Sequence, residues 1–288
     1  MHTRVARLLL ASALLASGQL NHPAGTQGIL MIDKLGAHLR FFDPVSFTEI
    51  ASIGTEKNPH DFVLSADHKF AYVPIYGDGV YGKNPNPGHE IDVIDLAAHT
   101  IAKKIDIAPH RAPHGIQTDA AGLLYVTCDL DRQVLVIDPK SGAITATIGN
   151  EGTGHWIGIL PDASKLYVTN KDDRPFISVI DLKKRSLSGK IPTPNGTQGI
   201  AVSPDGRRLL TMSSAPEQVN IFDAANLRGP QQIVNVGKAP MGFGFSPDGN
   251  TVLVANHGDG TVTVIDLIQA KVVRTFKAGT GIETLAWY

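Results

Sequence analysis

Three histidines and a glutamate recur at a spacing that chemistry can use. His60, His114 and His155 are followed at nearly the same interval by Gln198, Met241 and Glu283. The steps are 54, 41, 43, 43 and 42 residues. Imidazoles with a carboxylate form the donor set of Zn, Cu, Ni or Fe(II) sites, so His60, His114, His155 and Glu283 are the candidate metal ligands. The same groups suit general acid–base work on a bound ligand. Gln198 and Met241 interrupt the donor character and argue against a symmetric metal cage. The milder alternative is a set of neutral histidines bridged by water in a polar channel. Arg111, in His110-Arg111-Ala112-Pro113-His114, supplies a cation for an anionic ligand. Asp61, Asp172, Asp173, Arg174 and His257 are further polar residues expected near the same face.

These residues need elements that repeat at the same period. A five-residue phrase supplies them: Leu39–Asp43, Ile91–Asp95, Val134–Asp138, Ile177–Asp181, Val219–Asp223 and Val262–Asp266. Its closing aspartates are 52, 43, 43, 42 and 43 residues apart. A fixed period near 43 marks a repeat array in which no single unit buries a core alone, so the 288 residues read as one domain. In residues 197–237, Gln198–Val202 reads as a strand. Ser203-Pro204-Asp205-Gly206 is a turn, with φ set by Pro and positive φ tolerated at Gly. Arg207–Met212, Val219–Asp223 and Gln232–Val236 follow as strands. Four short antiparallel strands per repeat describe one blade of an all-β propeller.

The count is six blades, with seven as the alternative. The first repeat lacks its first strand, and Ile282–Tyr288 has the pattern to supply it and close the ring. The first strand of each blade then lines a central channel. Its leading end carries the histidine set, on the face that also holds the loops between second and third strands. The longer first step reflects an insertion, Ile75–Glu90, expected as a loop on that face.

Leu166–Asn170 (LYVTN), the SPDG turns and the VxVID phrase resemble the YVTN-repeat family of bacterial β-propellers, over nearly all of the chain beyond its leader. The repeats are also similar in form to the nitrous-oxide-reductase-like and cytochrome-d1-like propeller domains. The resemblance implies the fold. It implies no one activity, because the family's members do not share one.

Composition narrows the rest. With 26 basic and 27 acidic residues, the chain has no footprint for nucleic acid. The single cysteine, Cys128, excludes an intramolecular disulfide, a CxxC zinc site and c-type haem attachment. It reads as a structural thiol. Gly77, Gly79 and Gly82 spell GxGxxG, but Asn84-Pro85-Asn86-Pro87 forbids a following helix, so no nucleotide site is expected. His2, Arg4 and Arg7 precede an apolar run, Leu8–Leu15, and then Ala16-Ser17-Gly18. Residues 1–18 read as a signal peptide, and 19–288 as a single propeller domain with no transmembrane segment after cleavage.

The expectation is an exported, periplasmic or secreted monomer. It binds a small molecule or protein partner at a His-lined channel mouth, with a divalent metal among the options. The rivals are a propeller hydrolase, lactonase or lyase using the same histidines, and a cell-envelope scaffold.

Overall fold

Alternating Val, Ile and Leu with polar residues suits strands that bury one face or both, and tight turns divide them. The computed structural model describes residues 28–288 apart from 56–57, 81–82, 194–196 and 214. The leader expected over residues 1–18 lies outside the described residues. In chain order the strands are β1 (Ile29–Asp33), β2 (His38–Phe42), β3 (Glu49–Gly54), β4 (Val63–Leu64), β5 (Phe70–Val80), β6 (Lys83–Asp95), β7 (Thr100–Asp106), β8 (Pro113–Thr118), β9 (Leu124–Cys128), β10 (Gln133–Ile137), β11 (Ile144–Gly149) and β12 (Gly154–Ile159). They continue as β13 (Lys165–Asn170), β14 (Phe176–Asp181), β15 (Ser186–Pro192), β16 (Ile200–Val202), β17 (Arg208–Ser213), β18 (Gln218–Asp223), β19 (Gln232–Asn235), β20 (Pro240–Phe245), β21 (Thr251–Asn256), β22 (Thr261–Asp266), β23 (Lys271–Lys277) and β24 (Ile282–Trp287).

They form six four-stranded antiparallel sheets, β24-β1-β2-β3 and five sheets of consecutive strands. The protein is a six-bladed β-propeller. Sequence boundaries hold to within one or two residues, as in the repeat read strand by strand.

The recurrent turns explain the repeated phrases. In all six blades the aspartate that ends the third strand accepts backbone N–H groups of the following turn. Asp95 takes Ala97 N (3.0 Å) and Ala98 N (2.9 Å), and Asp266 takes Ile268 N (2.8 Å) and Gln269 N (3.0 Å). In the Ser-Pro-Asp-Gly turns Gly206 and Gly249 have φ of 70° and 68°, the left-handed region glycine enters without strain.

Six buried apolar clusters lie one at each interface between neighbouring blades. Leu30, Ile32 and Phe41 of the first blade meet Ala71, Val73 and Ile94 of the second, for example. The clusters join every pair of neighbours round the ring. Strand β24 pairs with β1, Ile29 opposite Trp287, and Gly28 and Tyr288 exchange backbone hydrogen bonds of 3.0 Å. Buried Asp33 latches the joint. It accepts Thr280 Oγ1 (2.9 Å), Gly281 N (2.9 Å) and Arg40 Nε (2.8 Å). Burial opposes its charge, but these bonds hold its carboxyl below the usual range.

The insertion differs from the loop expected. It lengthens β5 and β6 into a hairpin arm, with Gly77 opposite Pro87 and Asp78 opposite Asn86. Backbone groups of an extended segment find partners most cheaply by continuing the ladder already begun. Cys128 is fully buried, and burial pushes its thiol up, as a structural cysteine requires.

Candidate functional site

A one-residue slip in each inner strand sets the site. Register shifts fall between Pro113 and Ile116, Gly154 and Ile157, and Pro240 and Phe243, and a fourth lies where β24 meets β1. The same slip separates the Pro59–Ile75 bridge from the Val63–Tyr72 pair. It also separates the Gln198 N to Met212 O bond from the Ile200–Thr211 pair. Such bulges bend a strand and re-aim its side chains. Here they sit at His60, His114, His155, Gln198, Met241 and Glu283. Glycine follows three of the six, and a Cβ on Gly115, Gly199 or Gly242 would collide with the carbonyl oxygen of His155, Met241 or Glu283 in the next blade. The ring is therefore pinched at this level.

The structure brings the three histidines together. Ring centroids of His60 and His114 are 4.4 Å apart, and those of His114 and His155 are 4.0 Å apart. Tyr76 flanks His60 at 4.6 Å and Trp156 flanks His155 at 5.9 Å. The exposures of His60, His114, His155 and Glu283 are 2, 0, 3 and 2 %. The expected open mouth is thus a buried aromatic plug.

Gln198 contributes its carbonyl, which accepts His155 Nδ1–H at 3.3 Å; its side-chain oxygen is buried without a hydrogen-bond partner among the described residues. Met241 is half-buried and packs with the apolar cluster between the fourth and fifth blades. Arg111 is not brought in. Its side chain is 55 % exposed and lies 3.6 Å from Asp131. Asp172 binds Thr153 N and Oγ1, both at 3.0 Å.

Sequence reasoning missed most of a second ring directly over the first, though it had placed His257 near this face. Lys34, Asp129, Lys171 and His257 each stand just past a second strand, a place where the repeat also puts Ser214, and Tyr76 stands inside the lengthened β5. The repeat period that revealed the histidines also carries this ring, and applying it one loop further would have found it. Ser214 lies outside the described residues. Lys34 Nζ donates to His60 Nε2 at 2.7 Å and lies 3.5 Å from Glu283 Oε1. His257 Nδ1 lies 2.8 Å from Glu283 Oε2. Tyr76 donates to Asp129 at 2.7 Å.

Burial first, then the Lys34 charge, pushes His60 down to about 4. Burial and the neighbouring His155 hold His114 well below its ordinary value, while burial and Lys171 do the same for His155. Lys171 is itself pushed down to about 8 by burial, with Glu283 opposing. Burial alone would raise Glu283, but the His257 hydrogen bond and the Lys34 charge hold it at about 2. Near neutral pH the plug is three uncharged imidazoles with Lys34, Lys171 and the Glu283 carboxylate around them.

As arranged, the donors do not fit a metal ion. His60 Nδ1–H donates to Asn58 O at 2.9 Å, so the Nε2 lone pair that would ligate a metal accepts the Lys34 ammonium instead. Among the described residues no group of three His, Cys, Asp or Glu is placed to hold one.

Beneath the plug a central cavity of about 240 Å³ runs along the inner strands. Asp61, Trp156, Met241 and Thr284 line it, while the three histidines do not. Asp61 accepts Phe62 N at 2.9 Å and Ile116 N at 3.0 Å, and burial outweighs both bonds and pushes its carboxyl up to about 7.

No family model matches the chain. An uncharacterized protein YncE from Salmonella typhimurium is 27% identical over 183 residues, covering 60% of this chain and 50% of that protein. An uncharacterized WD repeat-containing protein, sll1491, from Synechocystis is 29% identical over 145 residues, covering 50% of this chain and 40% of that protein. The chain spans about half the length of these curated relatives or less. Among solved structures, the hydrazine synthase of Kuenenia stuttgartiensis superposes with a TM-score of 0.66 at 15% identity, over 92% of this chain and 87% of that one. A chain of a nidogen/laminin complex superposes with a TM-score of 0.73 at 14% identity, over 90% and 97%. Likeness at this identity shows the fold alone.

Proposed function

We propose that this β-propeller, which has bacterial relatives, is an exported binding protein that takes an anionic group at its plugged upper face. The group is a carboxylate or phosphate borne by a small molecule or a partner. One observation carries this reading. Lys34 and Lys171 stand over neutral imidazoles in a largely buried setting, with Glu283 as their shared counter-ion and Asp129 held by the Tyr76 hydroxyl. A buried cation pairs strongly with an incoming anion because little water competes. His155 and His60 form the floor beneath that charge. No helix among the described residues is long and apolar enough to cross a membrane.

Calorimetry with inorganic phosphate and with succinate tests the idea. Binding that weakens about tenfold or more in Lys171→Met and Lys34→Met supports it. No binding of either anion, or an affinity that neither variant changes, would sink it. Processing at a site near Gly18 and elution as a monomer would test export and oligomeric state.

A second reading has its own observation. The carboxylate of Glu283 beside His257 orients an imidazole as a general base requires. If the protein is a hydrolase, lactonase or lyase, His257 carries the base role, because burial keeps the three plug histidines from taking up a proton near neutrality. A substrate screen with His257→Ala as the inactive control decides it.

A further inference from the structure

We propose that the face opposite the plug carries, on its fourth and fifth blades, a docking surface for an extended acidic segment of a partner protein, distinct from the anion site above. The turns that join first to second strands and third to fourth strands reach that lower face, because the strands run antiparallel. On the fourth and fifth blades these turns, residues 160–165, 181–186, 203–208 and 223–231, carry seven Lys and Arg against four Asp. On the other blades the matching turns, residues 43–49, 65–69, 95–100, 119–124, 138–143, 246–251 and 266–271, carry three Lys against eight Asp and Glu. A formal charge of -1 for the whole chain therefore hides a lower face divided into a basic and an acidic sector.

The cations of the basic sector are left for a partner. Its aspartates are spent on their own turns: Asp162 accepts Ser164 N (2.9 Å), Asp181 Lys184 N (2.9 Å), Asp205 Arg207 N (3.0 Å) and Asp223 Ala225 N (2.9 Å). Among the described residues the one ion pair here joins Lys184 to Asp181 at 3.7 Å. Lys183, Arg185, Arg207 and Arg228 are exposed, and Arg208 is half-buried. Arg207 and Arg208 border a groove of about 590 Å³ that reaches Pro230 and Gln232 on the fifth blade. A guanidinium forks onto a carboxylate through two parallel hydrogen bonds. Cations spread over two blades suit a chain of carboxylates better than one small ion.

Two other polyanions fit less well. Single-stranded nucleic acid needs aromatic platforms, and no Phe, Tyr or Trp is among the large apolar side chains exposed in the described residues. A membrane surface needs apolar tips among the cations. The exposed apolar tips of this face, Val45 (61 %) and Ile268 (67 %), belong to the first and sixth blades.

Fluorescence anisotropy on the full chain tests this with a labelled octamer of glutamate. The expected affinity is on the order of 100 μM or tighter at low salt, and it weakens as salt screens the charges. Arg207→Glu with Arg208→Glu should weaken binding about tenfold or more, and so should Lys183→Glu with Arg185→Glu. The second pair lies at exposed turn positions and decides the matter if the first does not fold. Lys69→Glu with Lys140→Glu reverses two cations of the acidic sector and should change affinity less than about twofold. No binding at about 1 mM peptide would overturn the proposal. So would an affinity that neither pair changes, or an equal loss in the acidic-sector pair. Tighter binding of an oligothymidylate of equal charge, or of phosphatidylglycerol vesicles, would also overturn it, because the sector would then serve another polyanion.

Discussion

His155 and Trp156 are neighbours in sequence, yet they serve two different regions. His155 stacks in the plug at the upper face, and Trp156 lines the cavity below it. His60 and Asp61 divide in the same way. The plug is sealed, stacked and topped by charge; the cavity is roomy, mixed polar and apolar, and has one carboxyl among its lining residues. The burial penalty acts in both, with opposite consequences. It strips protons from the imidazoles of the plug and raises Asp61 to about 7, so that this carboxyl holds its proton well above the usual carboxylate range. A bulge one residue long is what separates the two environments.

The largest test of this contrast is acid. Between about pH 6.5 and 4 the unfolded chain takes up protons at His60, His114 and His155 that the folded plug refuses, so stability falls as pH falls. Asp61 runs the other way in the same window, because its folded value of about 7 lies above its unfolded one, and the fold holds a proton the unfolded chain has released. Three histidines outweigh one carboxyl, so stability falls toward acid with a slope on the order of 2–3 kcal/mol per pH unit at ~1.36 kcal/mol per proton. Urea unfolding at several pH values should show this slope, and Asp61→Asn should steepen it toward three protons. A flat profile would mean the plug is hydrated and charged.

Next in size is Glu283→Gln, which leaves Lys34 and His257 facing a neutral amide. The expected loss at neutral pH is about 3–5 kcal/mol, as for one partner removed from a buried charge pair. The carboxylate's own contribution is complete above its unfolded value and fades as pH falls toward about 2. A loss under ~1 kcal/mol by urea titration would make the pair a surface one in practice.

Gly115→Ala should cost about 1–3 kcal/mol by forcing a methyl against the His155 carbonyl, while Gly189→Ala, whose Cβ meets nothing, should change little. Equal effects on melting temperature would show that the inner ring is not pinched. The smallest effect belongs to Arg111→Ala. Its exposed pair with Asp131 predicts a change within about 0.5 kcal/mol and no effect on either site. A larger loss of ligand binding would restore Arg111 to the upper face.

Much of the architecture was legible without coordinates. The aspartate of VxVID, the Ser-Pro-Asp-Gly turns and the apolar alternation are local features, and each repeats, so errors in one blade were corrected by the others. The final strand Ile282–Trp287 could be assigned to the first blade because one blade lacked a partner there. The site was legible only in part. The period aligned His60, His114, His155 and Glu283, but Lys34 and Lys171 carry no motif, and a lone loop lysine looks like a solvated charge. The insertion read as a loop because Asn-Pro-Asn-Pro is turn chemistry; its pairing opposite Gly77 and Asp78 depends on the strand beside it.

By itself, the amino-acid sequence determined a repeat of four strands, six times, with a ring closed by its own last strand. Those properties rest on periodicity and turn preferences, which act over a few residues. Only the tertiary structure decided that the histidines form a buried plug rather than an open mouth, that Lys34 reaches across to Glu283, and that Asp61 turns to a cavity and binds the next blade at Ile116. Those contacts span blades or join the last strand to the first, and closure together with one-residue slips in the inner strands sets them, neither of which leaves a mark in the alternation of a single strand.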